Sequence, residues 1–452
     1  MSKPAQRIFI ILLLLGFALR IGYGSVRYRS VLRLSGDAFV GLWDYDALDH
    51  VLIAKALLSG KGYIVDDTPV SHVKRVQYPG QEALFKAPFY EAFLAGCFAV
   101  SGFSFTVFFP LQALLGGLCA ALVGLTGLLA FERTGAAWLA GLAVAAHPIL
   151  VNSASQPYNE DLFFFFFAAS ILSFLVWFRS LQTTWAVVCG IATGLCMLTR
   201  GNGLLLLFAM GLTLMFARSA WPSSWMGYIL LVITAFAIVT PWAVRNYLRF
   251  GVFVPVASIV GEDLNEGNNN CVASEGIFVP YWAEGPCASA DAQVREVAGE
   301  MTFEPRVPAA VRRDRVARQV ALSFITRHPG AYAKLVLRRL WTSLLPFDPR
   351  GNQRRVERIV LSLYWLALYP AGIMGIVLST GRLNPNRCLL LLLAILNLLS
   401  IAAVLYWSDL RFRVATDITL ACFAGFAYSE MLRRAVSLQS HRRRSSLPLS
   451  VH

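Results

Sequence analysis

Acidic residues are scarce in this chain. Its 452 residues include 26 Asp and Glu against 40 Lys and Arg, a formal net charge of +14. Charged residues of both signs make up 15% of the sequence, and 57% of it is hydrophobic. No Walker-type phosphate loop, His-Glu-x-x-His, Gly-x-Ser-x-Gly or paired Cys-x-x-Cys is present, so ATP hydrolysis and serine-hydrolase chemistry have no support. Nucleic acid is a poor partner, because no soluble basic domain exists to hold it. Cysteine is used sparingly. Six of the eight (Cys97, Cys119, Cys189, Cys196, Cys388 and Cys422) sit in apolar runs and read as small core residues. Cys271 and Cys287 share one polar loop and could pair if it is extracytoplasmic.

What is present in quantity is apolar sequence, in runs long enough to cross a bilayer. The expectation is an all-α polytopic membrane protein with about ten spans. They are placed near 8–24, 106–131, 136–152, 161–178, 185–199, 203–217, 225–243, 357–379, 388–406 and 415–432. Lys3 and Arg7 precede the first run, which reads as an uncleaved span rather than a signal peptide. Two polar regions, 25–105 and 244–356, separate the spans. The short run 88–100 reads as a helix lying in the interface. Basic residues at both ends, among them Arg433, Arg434 and Arg442–Arg444, place both termini in the cytoplasm by the positive-inside rule. The two polar regions are then external loops of a single membrane domain, 1–432, and 433–452 is a basic cytoplasmic tail apposed to anionic lipid. The expected location is the plasma or inner membrane, with the active site on the external or periplasmic face.

The scarce carboxylates gather at the expected external edge. Asp44-Tyr45-Asp46-Ala47-Leu48-Asp49-His50 follows the first span and opens an amphipathic stretch, 46–58, whose Ala47, Val51, Ala54 and Leu58 share one helical face. Asp46 and Asp49 are a solvated first helical turn, a catalytic base or a metal-binding pair. Asn159-Glu160-Asp161 fills a short turn before a phenylalanine-rich span and is either a polar turn or part of the same site. Cations collect at the same boundary: Lys86 in Phe85-Lys86-Ala87-Pro88, Arg200 in Leu198-Thr199-Arg200-Gly201, Arg245 in Pro241-Trp242-Ala243-Val244-Arg245, and Arg411 and Arg413 in Asp409-Leu410-Arg411-Phe412-Arg413. A single such Arg is usually a snorkelling anchor, whereas several beside aromatics suit phosphate, which guanidinium binds bidentately. Arg312, Arg313, Arg315 and Arg318 read as the solvated face of a helix. The Asn- and Gly-rich stretch 261–269 is a surface turn or a source of hydrogen bonds to a sugar or acceptor.

In this order the motifs resemble the GT-C fold integral-membrane glycosyltransferases, family 39-like, a group similar to protein O-mannosyltransferases and lipid A aminoarabinose transferases. The similarity rests on Asp46-Ala47-Leu48-Asp49-His50 with Gly60, Gly62 and Tyr63; on Lys86-Ala87-Pro88-Phe89-Tyr90; on Glu160; on Leu198-Thr199-Arg200; on Pro241–Tyr247 with Gly251 and Gly267-Asn268-Asn269; and on Arg411-Phe412-Arg413. His50 replaces a usual Tyr, and one Pro is missing after Lys86. Phe85 stands where some relatives carry an acidic residue. The resemblance implies a GT-C-like architecture with interfacial helices in the first external loop and a larger external loop between spans seven and eight. It implies a polyprenyl-phosphate sugar as donor, inversion at the sugar, and the catalytic Asp at Asp46. Some relatives use a divalent metal, and no complete metal site can be matched here.

The residue types fit that chemistry on their own terms. Inverting transfer from a phosphate needs one base for the acceptor proton and positive charge at the departing phosphate, with no second acid. The expected catalytic set is Asp46, Asp49 and Glu160. The expected donor-phosphate ligands are Lys86, Arg200, Arg245, Arg411 and Arg413. The activity expected is a hexosyl- or pentosyltransferase working among membrane lipids on a protein, lipid or glycan acceptor. A secondary transporter or lipid-linked sugar flippase is the competing reading. Transporters bury charge at the midplane, whereas these charges sit at an edge.

Overall fold

The computed structural model describes residues 2–27, 29, 45–67, 79–216, 221–275, 294, 297, 301, 303–347, 353–381, 384–404 and 410–445. Asp44, Cys287, Asp409 and the last residues of the tail lie outside them. Among the described residues the regular structure is helical, apart from two isolated bridges that pair Ile64 with Glu82 and Val65 with Pro79. The helices in chain order are α1 (Lys3–Arg27), α2 (Tyr45–Leu58), α3 (Pro88–Ser101), α4 (Phe105–Phe131), α5 (Thr134–Ala145), α6 (Pro148–Ser153), α7 (Glu160–Ser180), α8 (Thr183–Thr199) and α9 (Leu204–Phe216). Then follow α10 (Trp221–Phe250), α11 (Val260–Gly267), α12 (Asn270–Glu275), α13 (Ala309–Arg327), α14 (Pro329–Ser343), α15 (Arg355–Thr380), α16 (Pro385–Val404) and α17 (Val414–Ser445).

In their described parts the expected spans are largely helical, with 217 and 405–406 outside the described residues, and length and hydropathy qualify six of them as membrane-crossing: α1, α4, α7, α10, α15 and α16. Three shorter apolar helices, Thr134–Ala145, Thr183–Thr199 and Gly201–Phe216, account for further expected spans, and the last lies within α17. The expected span 136–152 breaks in two. His147 is extended, with φ −61° and ψ 116°, because Pro148 opens α6 and disfavours helical backbone in the residue before it. The expected interfacial segment is α3, whose 14 residues reach only about 21 Å at the helical rise, short of a bilayer core.

The helices pack as a bundle of apolar faces. α4 lies between α1 and α7, α5 between α4 and α17, and α8 between α7 and α10. The main core runs through α4, α5, α7–α10 and α15–α17, and includes Phe164, Phe174, Trp177 and Phe423. A second core sits at one end of the bundle. There α2, α3 and the residues Tyr63, Val65, Ala83 and Phe85 cover the start of α4 through Tyr90, Phe98, Phe105 and Phe108. This cap changes the expectation for α2. Its sequence promises one apolar face, yet Ala47, Leu48, Val51, Leu52, Ile53 and Ala54 are all buried, together with Asp49 and His50, because α3 and the α4 phenylalanines enclose it.

Helix association in lipid depends on close backbone approach, which small residues permit. A Cβ on Gly117 of α4 would stand 2.6 Å from the Leu13 carbonyl oxygen of α1, and one on Gly116 would strike the Arg20 guanidinium. Gly22 of α1 has open space around it. Gly117→Ala therefore forces α1 and α4 apart and destabilises by about 1–3 kcal/mol, as overpacking does. Thermal unfolding of the purified protein checks this: the midpoint falls by several degrees for Gly117→Ala and stays near wild type for Gly22→Ala.

Candidate active site

Six of the eight expected site residues arrive at or near helix ends beneath the cap and meet, Asp49 among them through Lys86. Asp46 stands in the first turn of α2, where the helix dipole favours a carboxylate. Lys86 sits in the turn just before α3, its backbone N–H bonded to the Ala83 carbonyl. Glu160 opens α7. Arg200 ends α8 in extended backbone, followed by a single 3-10 turn. Arg411 lies in the turn 410–413 that leads into α17.

The contacts form an alternating chain of charge. Lys86 Nζ donates to Asp46 Oδ1 at 2.8 Å and lies 3.7 Å from Asp49 Oδ2. Arg411 bridges the two halves, with Nη2 3.6 Å from Asp46 Oδ2 and Nη1 3.6 Å from Glu160 Oε1. Arg200 Nη1 lies 3.6 Å from the same Glu160 oxygen. Glu160 is 1% exposed, and neither carboxylate oxygen has a hydrogen-bond partner. Two guanidinium charges and the α7 N-terminus compensate it instead. Aromatic faces support both arginines: Arg411 lies 4.8 Å from the Tyr158 ring centre and Arg200 5.3 Å from that of Phe412.

These partners set the protonation states. The Lys86 ammonium, with help from Arg411, holds the Asp46 carboxyl well below the usual carboxylate range against the opposing effect of burial. Burial opposes charge on Lys86, but Asp46 and Asp49 outweigh it and raise its pKa. Burial pushes Asp49 up to about 6, with Lys86 acting in the other direction. Asp263 of α11 is pushed up to about 7 by burial and by the neighbouring charges of Glu262, Asp46 and Asp314, against Arg200. The α11 N-terminus is held in place by Asp314 of α13, whose Oδ1 accepts from the Gly261 N–H at 2.6 Å. Asp263 thus belongs to the electrostatic neighbourhood of Asp46 and Arg200, in the stretch 261–269 whose sequence reads as a surface turn or a source of hydrogen bonds to a sugar or acceptor.

Two expected donor ligands are placed elsewhere. The Arg245 guanidinium packs 4.9 Å from the Trp242 ring centre and pairs with Glu82 at 3.2 Å. Trp242 in turn meets Tyr63 edge to face, and the Tyr63 hydroxyl donates to the Lys86 carbonyl at 3.1 Å. Arg245 therefore braces the segment that carries Lys86. Arg413 points into the protein, 3% exposed, 3.5 Å from Asp417. His50, which stands where the resembled pattern has a Tyr, meets Glu91 of α3, with Nδ1 2.8 Å from Oε1. Glu91 was missed in the sequence, although a lone carboxylate in the apolar run 88–101 is itself a signal.

The described residues assemble no donor set for a divalent metal. Among the described residues no three His, Cys, Asp or Glu side chains converge as metal ligands. The positive charge beside both Asp46 and Asp49 is the Lys86 ammonium. Cys271 is disulfide-bonded, whereas the six cysteines of the apolar runs are free.

A small, partly open cleft with mainly apolar lining adjoins the charge cluster. Phe163 and Phe167 of α7, Leu205 of α9 and Leu393 of α16 line it, and Arg200 and Arg411 stand among them. The site therefore couples a compact set of cations and carboxylates to a greasy slot between spans.

Known proteins can be set beside this geometry. Residues 85–244 match the family described as dolichyl-phosphate-mannose-protein mannosyltransferase. No curated protein sequence matches the chain. Among solved structures, it is similar to the oligosaccharyltransferase AglB of Archaeoglobus fulgidus in complex with an inhibitory peptide and a dolichol-phosphate. The TM-score is 0.58 at 16% identity, covering 99% of this chain and 52% of that one. The apo A. fulgidus oligosaccharyltransferase gives 0.56 at 15% identity, covering 99% and 53%. ArnT of Cupriavidus metallidurans bound to undecaprenyl phosphate gives 0.43 at 15% identity, covering 95% and 79%. The chain spans about half the length of the archaeal oligosaccharyltransferases it matches. It is a multi-pass integral membrane protein with the GT-C glycosyltransferase fold.

Proposed function

We propose that the protein is an inverting glycosyltransferase that moves a hexosyl or pentosyl group from a polyprenyl-phosphate donor to an acceptor at the external face of the membrane. The observation that carries this reading is the convergence of Lys86, Arg200 and Arg411 on Asp46 and Glu160 beside an apolar cleft. Phosphate needs the cations, a polyprenyl tail needs the cleft, and the acceptor needs the carboxylate. The dolichol-phosphate in the AglB complex and the family matched by residues 85–244 support it.

In the proposed reaction Asp46 accepts the proton of the acceptor hydroxyl or amine. The freed lone pair bonds to the sugar C1 from the face opposite the donor oxygen. The bond between C1 and that oxygen breaks, and its electron pair stays on the polyprenyl phosphate, which leaves with one more negative charge. Lys86, Arg200 and Arg411 stabilise that growing charge, and preorganised cations in a water-poor site are worth most there. The resting contacts also explain the timing. Paired with Lys86 and Arg411, Asp46 is a weak base. A donor phosphate that draws both cations onto itself leaves Asp46 more basic, so base strength follows donor occupancy.

Asp46→Asn tests the base. It lowers kcat by about 10²–10⁴-fold, the range of general-base catalysis, while donor binding is retained or tightened. Purified protein in lipid with radiolabelled polyprenyl-phosphate sugars reads both, and unchanged turnover sinks the assignment.

Donor affinity also depends on pH, with a definite sign. Near neutrality the site holds Asp46, Asp49, Glu160 and Asp263 against three cations. An anionic donor favours the protonated forms of Asp49 and Asp263, whose pKa values stand at about 6 and about 7. Binding takes up protons, so affinity is full below about pH 5 and weakens as pH rises through 6 and 7, by at most about tenfold per pH unit per proton taken up. Donor titrations between pH 5.5 and 8.5 check this, and Asp263→Asn flattens the upper part of the profile.

A further inference from the structure

We propose that Arg413 and Asp417 are positioning residues that fix the turn 410–413 and so aim Arg411 at the donor phosphate; this rests on the lipid-phosphate reading above. The turn presents its two arginines to opposite sides. Arg411 faces Asp46 and Glu160, and Arg413 faces the interior. The Arg413 guanidinium donates to the carbonyls of Ser343, at 3.2 Å, and Leu345, which tie it to the end of α14. It lies 5.4 Å from the Tyr369 ring centre on α15 and 3.5 Å from Asp417 Oδ2, one turn into α17.

Asp417 is the hub of this arrangement. Its Oδ1 accepts from the Tyr369 hydroxyl at 2.8 Å, and its Oδ2 lies 3.1 Å from His147 Nε2 at the break between α5 and α6. Both Asp417 and His147 are 1% exposed. From the other side, Asn397 of α16 donates to the Phe412 carbonyl at 3.1 Å and to Thr416 Oγ1 at 3.0 Å. The backbone that carries Arg411 is thus held by α15, α16, α17, the end of α14 and the α5–α6 junction.

A buried charged network is a poor way simply to glue helices, because apolar residues of the same shape often do as well. What it provides is direction: each bond has one geometry, and together they fix one register for the turn. Arg411 bridges Asp46 and Glu160, so a shift of about 1 Å would uncouple the halves of the site.

The test uses the full chain in lipid nanodiscs and two readouts: amide hydrogen exchange and binding of farnesyl phosphate as a short polyprenyl phosphate. Arg413→Gln speeds exchange of the amides of 410–417 while the rest of α15–α17 keeps its protection. It also weakens farnesyl phosphate binding by about tenfold, a usual size for coupling within one network. In an Arg411→Gln background the same substitution changes binding less than twofold. Tyr369→Phe removes one bond to Asp417 but no charge, and shifts both readouts in the same direction by a smaller factor. It decides the matter if Arg413→Gln fails to fold. The proposal is overturned if the binding loss persists in full in the Arg411→Gln background, if exchange rises throughout α15–α17, or if neither readout moves. A wild type that binds no farnesyl phosphate contradicts the lipid-phosphate reading instead, and the exchange pattern then decides the positioning role alone.

Discussion

The contact between Lys86 and Asp46 is the constraint on which the site depends. It joins the cap of α2 and α3 to the bundle end, because Asp46 also faces Arg411, which in turn faces Glu160 at the start of α7. Charges this close to a membrane are tolerated only as a set. Removing the cations that face Glu160, which is 1% exposed, leaves a buried carboxylate uncompensated and is destabilising. On the proposed reading the same compensation makes the cluster responsive, since an incoming phosphate would compete with carboxylates already in place.

Much of the surrounding structure can be read as support for that contact. Trp242 and Tyr63 hold the backbone of Lys86, and Arg245 holds Glu82 a few residues earlier. His50 and Glu91 lock α2 to α3 next to Asp49. Arg20 of α1, fully buried, lies 3.5 Å from Asp161, so the start of α7 is anchored beside Glu160. Several of these supports are ionisable groups inside apolar helices. A membrane protein can keep them only where each finds a partner, and so they mark where geometry is being fixed.

The sequence made the helices legible because lipid demands them: a long apolar run has no other way to satisfy its backbone. It also showed which side of the bundle carries charge, since Asp46, Glu160, Lys86, Arg200 and Arg411 all stand at ends of apolar runs. It did not show which cations face the carboxylates. Arg411 and Arg413 are two residues apart in one motif, and only the turn's backbone sends one to Asp46 and the other to Asp417. Arg245 read as a ligand because it stands beside aromatics at the same boundary as the other arginines, yet Glu82, 163 residues earlier, pairs with it. Asp263 was hidden for a different reason. Its stretch looks like a surface turn, and only the packing of α11 on α13 brings it near Arg200.

The central claim is that donor phosphate takes the cations from the carboxylates. A structure of the protein in lipid with farnesyl phosphate bound tests it most directly. The account predicts phosphate oxygens within hydrogen-bonding distance of Lys86 and Arg411, the lipid chain in the cleft beside Phe163 and Leu393, and an Asp46 carboxylate released from Lys86. A phosphate bound elsewhere, with the 2.8 Å contact between Lys86 and Asp46 intact, would contradict it.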